Sequence, residues 1–242
     1  MLIQYFSIGH CQASWDARQN QNILKIFSFF WKCKQEELLV SFDGLSLHLP
    51  PEITKRGWGG KSWYHTDQSP HRNDFECLQS FLTLLDINEG DATLTFLEGS
   101  NKYHHLLPKS KDNKTDWYKL SEVEEKVFIE KGCEYKKIKA PKGSLIFWDS
   151  RTIHCGCEPL KTREVPNFRA IIYVSYSPRS FCSKGNLNKK KKAFDELRTT
   201  NHWAHKPKLF SKNPRTYGGE IPTIKNIDKP NVGEIGLKLA GF

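Results

Sequence analysis

The middle of the chain is a series of short apolar segments that are separated by turn-forming residues. The clearest of these segments are residues 78–87, 92–97, 144–148 and 168–176. In the second segment, threonines alternate with Leu and Phe, which is the period of a strand with one buried face. Short strands at this spacing are typical of sandwiches and barrels. The pattern therefore predicts a mainly β fold of two sheets, with helices at both ends of the chain.

Helices and a hairpin are expected on either side of these strands. Residues 22–34 carry apolar side chains at spacings of three and four, which predicts a helix with one buried face, capped by Asn20 or Asn22. Further helices are expected near residues 120–129 and 190–198. The strand-like residues 38–42 and 46–49, separated by Asp-Gly, predict a hairpin.

The composition narrows the class of protein. Hydrophobic residues make up 38% and aromatic residues 12% of the chain, which excludes an intrinsically disordered protein. No apolar run approaches the roughly 18 residues of a membrane span, and the N-terminus lacks the basic segment of a signal peptide. We therefore expect a soluble, intracellular, cytoplasmic protein. Seven cysteines without a CxxC pair favour reduced thiols over a disulfide framework.

The net charge of +10 leaves two interpretations open. A basic protein can bind nucleic acid or another anionic partner, but 28 of its 37 basic residues are Lys rather than Arg. The densest cluster, residues 189–192, falls at a predicted helix. A solvated lysine-rich surface is the favoured interpretation.

Three residues form the strongest candidate site. His65 and Asp67 are two residues apart, so on an extended segment their side chains point to the same side and can share a metal. His154 follows a buried strand and a turn, and would complete a set of two histidines and one carboxylate. This set leaves positions on Fe(II) open for other ligands. The alternatives are a local hydrogen bond between His65 and Asp67, and a zinc site built from His154, Cys155 and Cys157.

The residues around this set add to the pattern. Residues 55–73 are rich in Gly and aromatic side chains, with Gly57, Trp58, Gly59 and Gly60 together, which is typical of a site loop. Arg169 opens the strongest predicted strand after His154, where a guanidinium can bind a carboxylate through two hydrogen bonds.

Three ordered segments carry a family resemblance. They are WYHTDQ at residues 63–68, LEGSNK at residues 97–102, and GSLIFW at residues 143–148 followed by His154 and Arg169. Together they span about residues 60–178. In this order they resemble the phytanoyl-CoA dioxygenase-like family of Fe(II)/2-oxoglutarate oxygenases. One departure is Asn101, because the family has Gly-Ser-His where this chain has Gly-Ser-Asn.

The resemblance implies a double-stranded β-helix, or jelly roll, which we expect over residues 1–206. Residues 207–242 are rich in Lys, Pro, Asn and Gly, which predicts a tail that wraps the surface. The resemblance also implies that His65, Asp67 and His154 bind Fe(II), and that Arg169 binds the distal carboxylate of 2-oxoglutarate, with Arg163 as the alternative. The remaining candidates are Gln79 and Thr83 for the co-substrate, and Trp63, Gln68 and Asp43 for the substrate.

The activity implied is hydroxylation of an unactivated C–H bond of a small organic or lipid-like substrate, with Fe(II), 2-oxoglutarate and O2. Two alternatives stay open, which are the same chemistry on a protein or nucleic acid, and a non-catalytic jelly-roll binding module. The N-terminal part is short for this family, so a fragment is a further alternative.

Overall fold

The computed structural model describes residues 2–55, 63–109, 115–220 and 227–242, and most of the strands in them belong to two five-stranded sheets. In spatial order, the first sheet consists of β1 (Leu2–Ile3), β3 (Leu45–His48), β11 (Arg169–Tyr173), β5 (Leu78–Thr83) and β9 (Leu145–Asp149). The second consists of β7 (Tyr118–Lys119), β4 (His65–Thr66), β10 (His154–Cys157), β6 (Thr93–Glu98) and β8 (Glu134–Lys137). A separate pair joins β12 (Tyr176–Pro178) to β2 (Leu38–Val40).

The two large sheets face each other. Phe81 of β5 and Ile171 of β11 pack with Leu94 of β6 in one buried cluster, so side chains of both sheets meet between them. Every strand pair described is antiparallel. Two facing antiparallel sheets form the jelly roll, and this confirms the predicted fold class.

Helices cover the outer faces of both sheets, since most pack in one cluster with Ile172 of the first sheet and the helical residue Phe128 packs with Leu97 of the second. They are α1 (Gln12–Gln19), α2 (Gln21–Trp31), α3 (Pro51–Thr54), α4 (Glu122–Glu130), α5 (Lys184–Asp195) and α6 (Glu234–Ala240). Short 3₁₀ helices occur at Ile8–His10, Gln35–Glu37, Ser100–Leu106 and Arg179–Phe181. The predicted cap of α2 is confirmed, because the Asn20 side chain accepts hydrogen bonds from the N–H groups of Asn22 and Ile23. None of the described helices is long and apolar enough to cross a membrane.

The predicted hairpin at residues 38–49 is wrong. β2 pairs with β12, whereas β3 pairs with β1 and β11 in a different sheet. Asp43 and Gly44 carry the chain from one sheet to the other. A Cβ atom on Gly44 would lie 2.0 Å from the carbonyl oxygen of Ile3, so the close passage of two backbones requires glycine here. Gly44, which suggested a tight turn, instead allows the chain to pass close to the backbone of Ile3 on its way between the two sheets.

The C-terminal segment does more than wrap the surface. The predicted boundary at residue 206 stays a prediction, but α6 places Leu239 and Ala240 in the main hydrophobic core, where both are fully buried. Asn231 also donates its backbone N–H to the side chain of Gln12 at 2.7 Å. The four clustered residues of the predicted site loop, Gly57, Trp58, Gly59 and Gly60, lie outside the described residues.

Candidate metal centre

The jelly roll brings His65, Asp67 and His154 to one point. His65 of β4 and His154 of β10 are direct cross-strand partners, and their ring centroids lie 4.5 Å apart. Asp67 follows β4 directly, and its backbone N–H donates to the carbonyl oxygen of Ser150 at 3.0 Å. One side-chain N or O atom from each of the three residues lies within 4.8 Å of the other two. Asp67 Oδ2 is 3.2 Å from His154 Nε2, and Asp67 Oδ1 is 3.6 Å from His65 Nε2.

Backbone carbonyl groups orient both imidazole rings. His65 Nδ1 lies 3.1 Å from the carbonyl oxygen of Trp63, and His154 Nδ1 lies 2.8 Å from that of Thr152. A proton on Nδ1 satisfies these carbonyl groups and leaves the lone pair of each Nε2 facing Asp67. Burial lowers the pKa of His65 to about 4, so this ring is neutral near pH 7. Neutral imidazole is the form that binds a metal ion.

Asp67 is held as a carboxylate. Burial alone would raise its pKa, but the nearby His202 and the contacts with His154 and His65 hold the pKa well below its usual range. Gln79 Nε2 donates to Asp67 Oδ2 at 2.9 Å and fixes the orientation of the carboxylate. The site therefore presents one anionic oxygen ligand and two imidazole nitrogens, which is the donor set of a mononuclear non-haem iron centre.

Arg169 is a buried cation that has no counterion in the described part of the chain. Its side chain lies at the start of β11 with only 8% of the residue exposed. Nη1 donates to Ser46 Oγ at 3.2 Å, the guanidinium lies over the ring of Phe81 at 5.6 Å, and the Tyr173 hydroxyl accepts another hydrogen bond. No carboxylate of residues 2–55, 63–109, 115–220 or 227–242 pairs with it, and its buried Nε has no hydrogen-bond partner there. The group is therefore available to a carboxylate ligand.

Arg163, the alternative, is already paired. Its guanidinium binds Glu52 at 2.6 Å and Asp91 at 3.0 Å, and its side chain is 2% exposed. These two carboxylates neutralise it from both sides. A ligand carboxylate would have to displace one of them, so the charge balance favours Arg169 for this role.

Three other predicted site residues have their polar atoms engaged within the protein. Gln79 contacts Asp67, as described above, which suits a positioning role. Thr83 donates its hydroxyl to the carbonyl oxygen of Leu85 at 2.6 Å. Gln68 is fully buried, with its N–H groups on the carbonyl oxygens of Arg72 and Asp74. The ligand contacts of Thr83 and Gln68 stay predictions.

The other two predicted substrate residues lie beside the centre. The indole of Trp63 stacks on the ring of His65, with centroids 4.8 Å apart, and 43% of the residue is exposed. Asp43 is buried next to the centre, and burial raises its pKa to about 6 against the opposing effect of His202. Both positions are compatible with a substrate contact, which stays a prediction.

The zinc alternative is not formed by the described residues. Strand alternation directs Cys155 away from the His154 side chain and into a cluster with Tyr64 and Leu97. Burial raises the pKa of the Cys155 thiol to about 12, whereas zinc binds the thiolate. In the described part of the chain, His65, Asp67 and His154 are the group of potential metal ligands that come together.

Sequence reasoning missed four residues near the centre, which are Ser46, Trp117, Tyr173 and His202. The period of two along β11 places Tyr173 on the same face as Arg169, so that residue could have been found. The Nε2 atom of His202 is buried and has no hydrogen-bond partner among the described residues, and His202 acts electrostatically on both Asp43 and Asp67.

Comparison with known proteins supports the fold. No family model matches the chain. The Ava biosynthesis cluster protein O of Aspergillus versicolor is 26% identical over 212 residues, which are 84% of this chain and 66% of that protein. The chain thus spans slightly less than two thirds of the length of this relative.

Two solved structures match parts of the chain. The GlcNAc Inducible Gene 2 protein of Candida albicans matches with a TM-score of 0.54 at 14% identity, over 81% of this chain and 57% of that one. The epimerase SnoN, solved with Fe3+, alpha ketoglutarate and nogalamycin RO, matches with a TM-score of 0.46 at 14% identity, over 73% of this chain and 62% of that one. The first of these scores supports a common architecture.

Proposed function

We propose that this chain is an Fe(II)- and 2-oxoglutarate-dependent dioxygenase of the phytanoyl-CoA dioxygenase-like type, which hydroxylates an unactivated C–H bond of a small organic or lipid-like substrate. One observation carries the proposal, namely that His65, Asp67 and His154 converge in a jelly roll that also buries Arg169, which pairs with none of the described carboxylates. The three ligands suit Fe(II). The guanidinium suits the distal carboxylate of a dicarboxylic acid.

The residues of the site would have distinct roles in binding the metal and the co-substrate. His65, Asp67 and His154 would hold the metal, and Gln79 would keep the Asp67 carboxylate in place. Arg169 and the hydroxyl of Tyr173 would fix the distal carboxylate. Bound Fe(II) with 2-oxoglutarate supplies the oxidising chemistry, in which O2, 2-oxoglutarate and a C–H bond give succinate, CO2 and an alcohol. The walls of the barrel contribute orientation and exclusion of water.

The sequence relative favours a small-molecule substrate. Its name places it in a fungal biosynthesis cluster, and it aligns with 84% of this chain. Biosynthesis clusters modify small molecules. We therefore place a small organic compound ahead of a protein or nucleic acid as the substrate.

The test is the visible spectrum of the protein without oxygen. Adding Fe(II) and then 2-oxoglutarate should produce a metal-to-ligand charge-transfer band in the wild type. The band should be absent in His154→Ala, and should require a much higher 2-oxoglutarate concentration in Arg169→Ala. His105→Ala, which removes an exposed histidine, is the control and should behave as wild type.

A second measurement follows turnover of 2-oxoglutarate to succinate in air. His65→Ala should make no succinate above the background of free iron. Wild-type protein that binds iron without a new band, or His65→Ala that turns over at the wild-type rate, would refute the assignment.

A further inference from the structure

Two half-exposed tryptophans contact the ring of a proposed metal ligand. The indole of Trp63 stacks on His65 at an interplanar angle of 16°, with a centroid distance of 4.8 Å. The indole of Trp117 contacts the same imidazole at 5.6 Å and 37°. Trp63 is 43% exposed and Trp117 is 50% exposed. Large apolar side chains at this exposure beside a candidate centre indicate a surface that a ligand covers.

Strand register places both indoles on the face of the metal ligands. β4 pairs with β7 so that His65 faces Lys119 and Thr66 faces Tyr118. Extending this antiparallel ladder by one step sets Trp117 opposite Asp67, and directly opposed residues point to the same face of a sheet. Trp63 precedes His65 by two residues, so the period of two gives it the same direction. The strand register therefore places both tryptophans on the same face as the proposed metal ligands.

The indole of Trp63 is fixed before any ligand arrives. Its Nε1 donates to the carbonyl oxygen of Gly156 on β10 at 3.0 Å. A Cβ atom on Gly156 would lie 3.6 Å from Trp63 Cζ2, so the indole packs flat along this strand. A ring held by a hydrogen bond at its edge loses little freedom when another ring stacks on it.

The two indole rings favour a ligand of a particular shape. An indole offers a flat π face whose best partner is another flat ring in an offset or tilted arrangement. Lys119, which is exposed, lies on the same face because it is the register partner of His65. The two indoles give this side of the centre an aromatic area on which a ring can stack.

We propose that Trp63 and Trp117 form the recognition surface for the substrate, and that they select a substrate with a flat, unsaturated ring system that stacks beside the metal. This inference rests on the proposed function, because it assigns the substrate class of the same site. Trp63 and Trp117 are specificity-determining residues here, since neither carries a group that reacts.

The test compares two probes of the same skeleton, 2-naphthol and decahydro-2-naphthol, by calorimetric titration of the full chain. Both are neutral at pH 7 and have one hydroxyl, but only the first is flat. We expect 2-naphthol to bind about tenfold more tightly, and its affinity to fall about fivefold to tenfold in Trp63→Leu and in Trp117→Leu. Trp117→Phe should recover most of the loss, because it restores an aromatic face.

The control is Phe29→Leu, which removes a ring that is 85% exposed on α2. It should leave 2-naphthol binding unchanged. Equal binding of both probes, or an unchanged affinity in Trp117→Leu, would overturn the inference. Trp117→Leu keeps the test valid if Trp63→Leu fails to fold after losing its bond to Gly156.

The charge-transfer band of the wild type is recorded in the same preparation. A band without 2-naphthol binding would overturn the substrate class while supporting the proposed function. Binding of 2-naphthol without a band would support the aromatic surface and refute the oxygenase.

Discussion

Replacement of Arg169 by Met should make the fold more stable while removing the proposed 2-oxoglutarate site. The guanidinium is buried, it pairs with none of the described carboxylates, and its Nε has no hydrogen-bond partner among them. A buried charge without a counterion costs several kcal/mol of desolvation, because little in the protein replaces its hydration. Methionine has a similar length and flexibility and carries no charge.

The size of the effect follows from the contacts of Arg169. The substitution loses the hydrogen bonds to Ser46 and Tyr173, which cost about 1 kcal/mol each. It relieves the desolvation of the charge, and methionine still packs on the ring of Phe81. The net expectation is an increase of about 1–3 kcal/mol in the free energy of unfolding. Residues that bind a ligand in an enzyme commonly lower the stability of the fold.

Urea unfolding of the wild type and Arg169→Met, followed by circular dichroism, measures this difference. Arg163→Met is the matched control, since it leaves Glu52 and Asp91 without their cation and should lower the stability by about 3–5 kcal/mol. The two substitutions should thus act in opposite directions. A loss of more than about 1 kcal/mol in Arg169→Met would refute the argument, because it would show that the guanidinium is satisfied within the fold.

The same experiment with Fe(II) and 2-oxoglutarate under nitrogen connects stability to binding. At 100 times its dissociation constant, a ligand that binds only the folded state stabilises it by about 2.7 kcal/mol. The wild type should gain this amount on adding 2-oxoglutarate to the iron-loaded protein. Arg169→Met should gain much less. An equal gain in both would mean that the distal carboxylate binds elsewhere.

Three further predictions concern other groups. Burial lowers the pKa of Lys190 to about 7, so the unfolded state binds the proton more tightly than the folded state. Lys190→Met should therefore raise the free energy of unfolding by up to about 3 kcal/mol at or below pH 7, and this gain should shrink towards pH 10. Lys189→Met, on the exposed face, should show neither effect in urea titrations across that pH range. Gln79→Ala should weaken iron binding by about 10-fold to 100-fold in a chelator competition, because Asp67 loses its positioning hydrogen bond. Gly9→Ala should lower the melting temperature, at a cost of about 1–3 kcal/mol, because its Cβ would lie 2.5 Å from the carbonyl oxygen of Phe42.

The sequence predicts the local chemistry of the centre well and its long-range geometry less well. Strand alternation was enough to put His65 and Asp67 on one side of the chain. The partnership of His65 with His154 depends on the register between β4 and β10, which joins residues far apart in sequence. No local pattern encodes such a register, so the order of strands had to come from the family resemblance. Trp117 was missed for the same reason, because β7 is two residues long and carries no strand signal of its own.

The lysine cluster at residues 189–192 shows the limit of composition. Four consecutive lysines indicate a solvated face, and this holds for Lys189 and Lys192, which are exposed. Lys190 is instead 1% exposed, with its ammonium 4.1 Å from the ring centroid of Phe42 and hydrogen-bonded to the carbonyl oxygen of Val40. A helix that packs against a core must turn one residue in three or four inwards. Composition cannot tell which lysine that is, because it depends on where α5 docks.

The two arginines Arg163 and Arg169 show what distinguishes a binding residue from a structural one. They are six residues apart, both are buried, and sequence favoured Arg169 only because it opens a strand. In the structure, Arg163 meets two carboxylates and Arg169 meets a serine, a tyrosine and the face of a phenylalanine. Burying a cation without a carboxylate partner costs stability, and Arg169, unlike Arg163, bears this cost beside Phe81 in the core between the two sheets. A dicarboxylate bound to iron at His65, Asp67 and His154 would supply the charge that the described residues do not place beside Arg169.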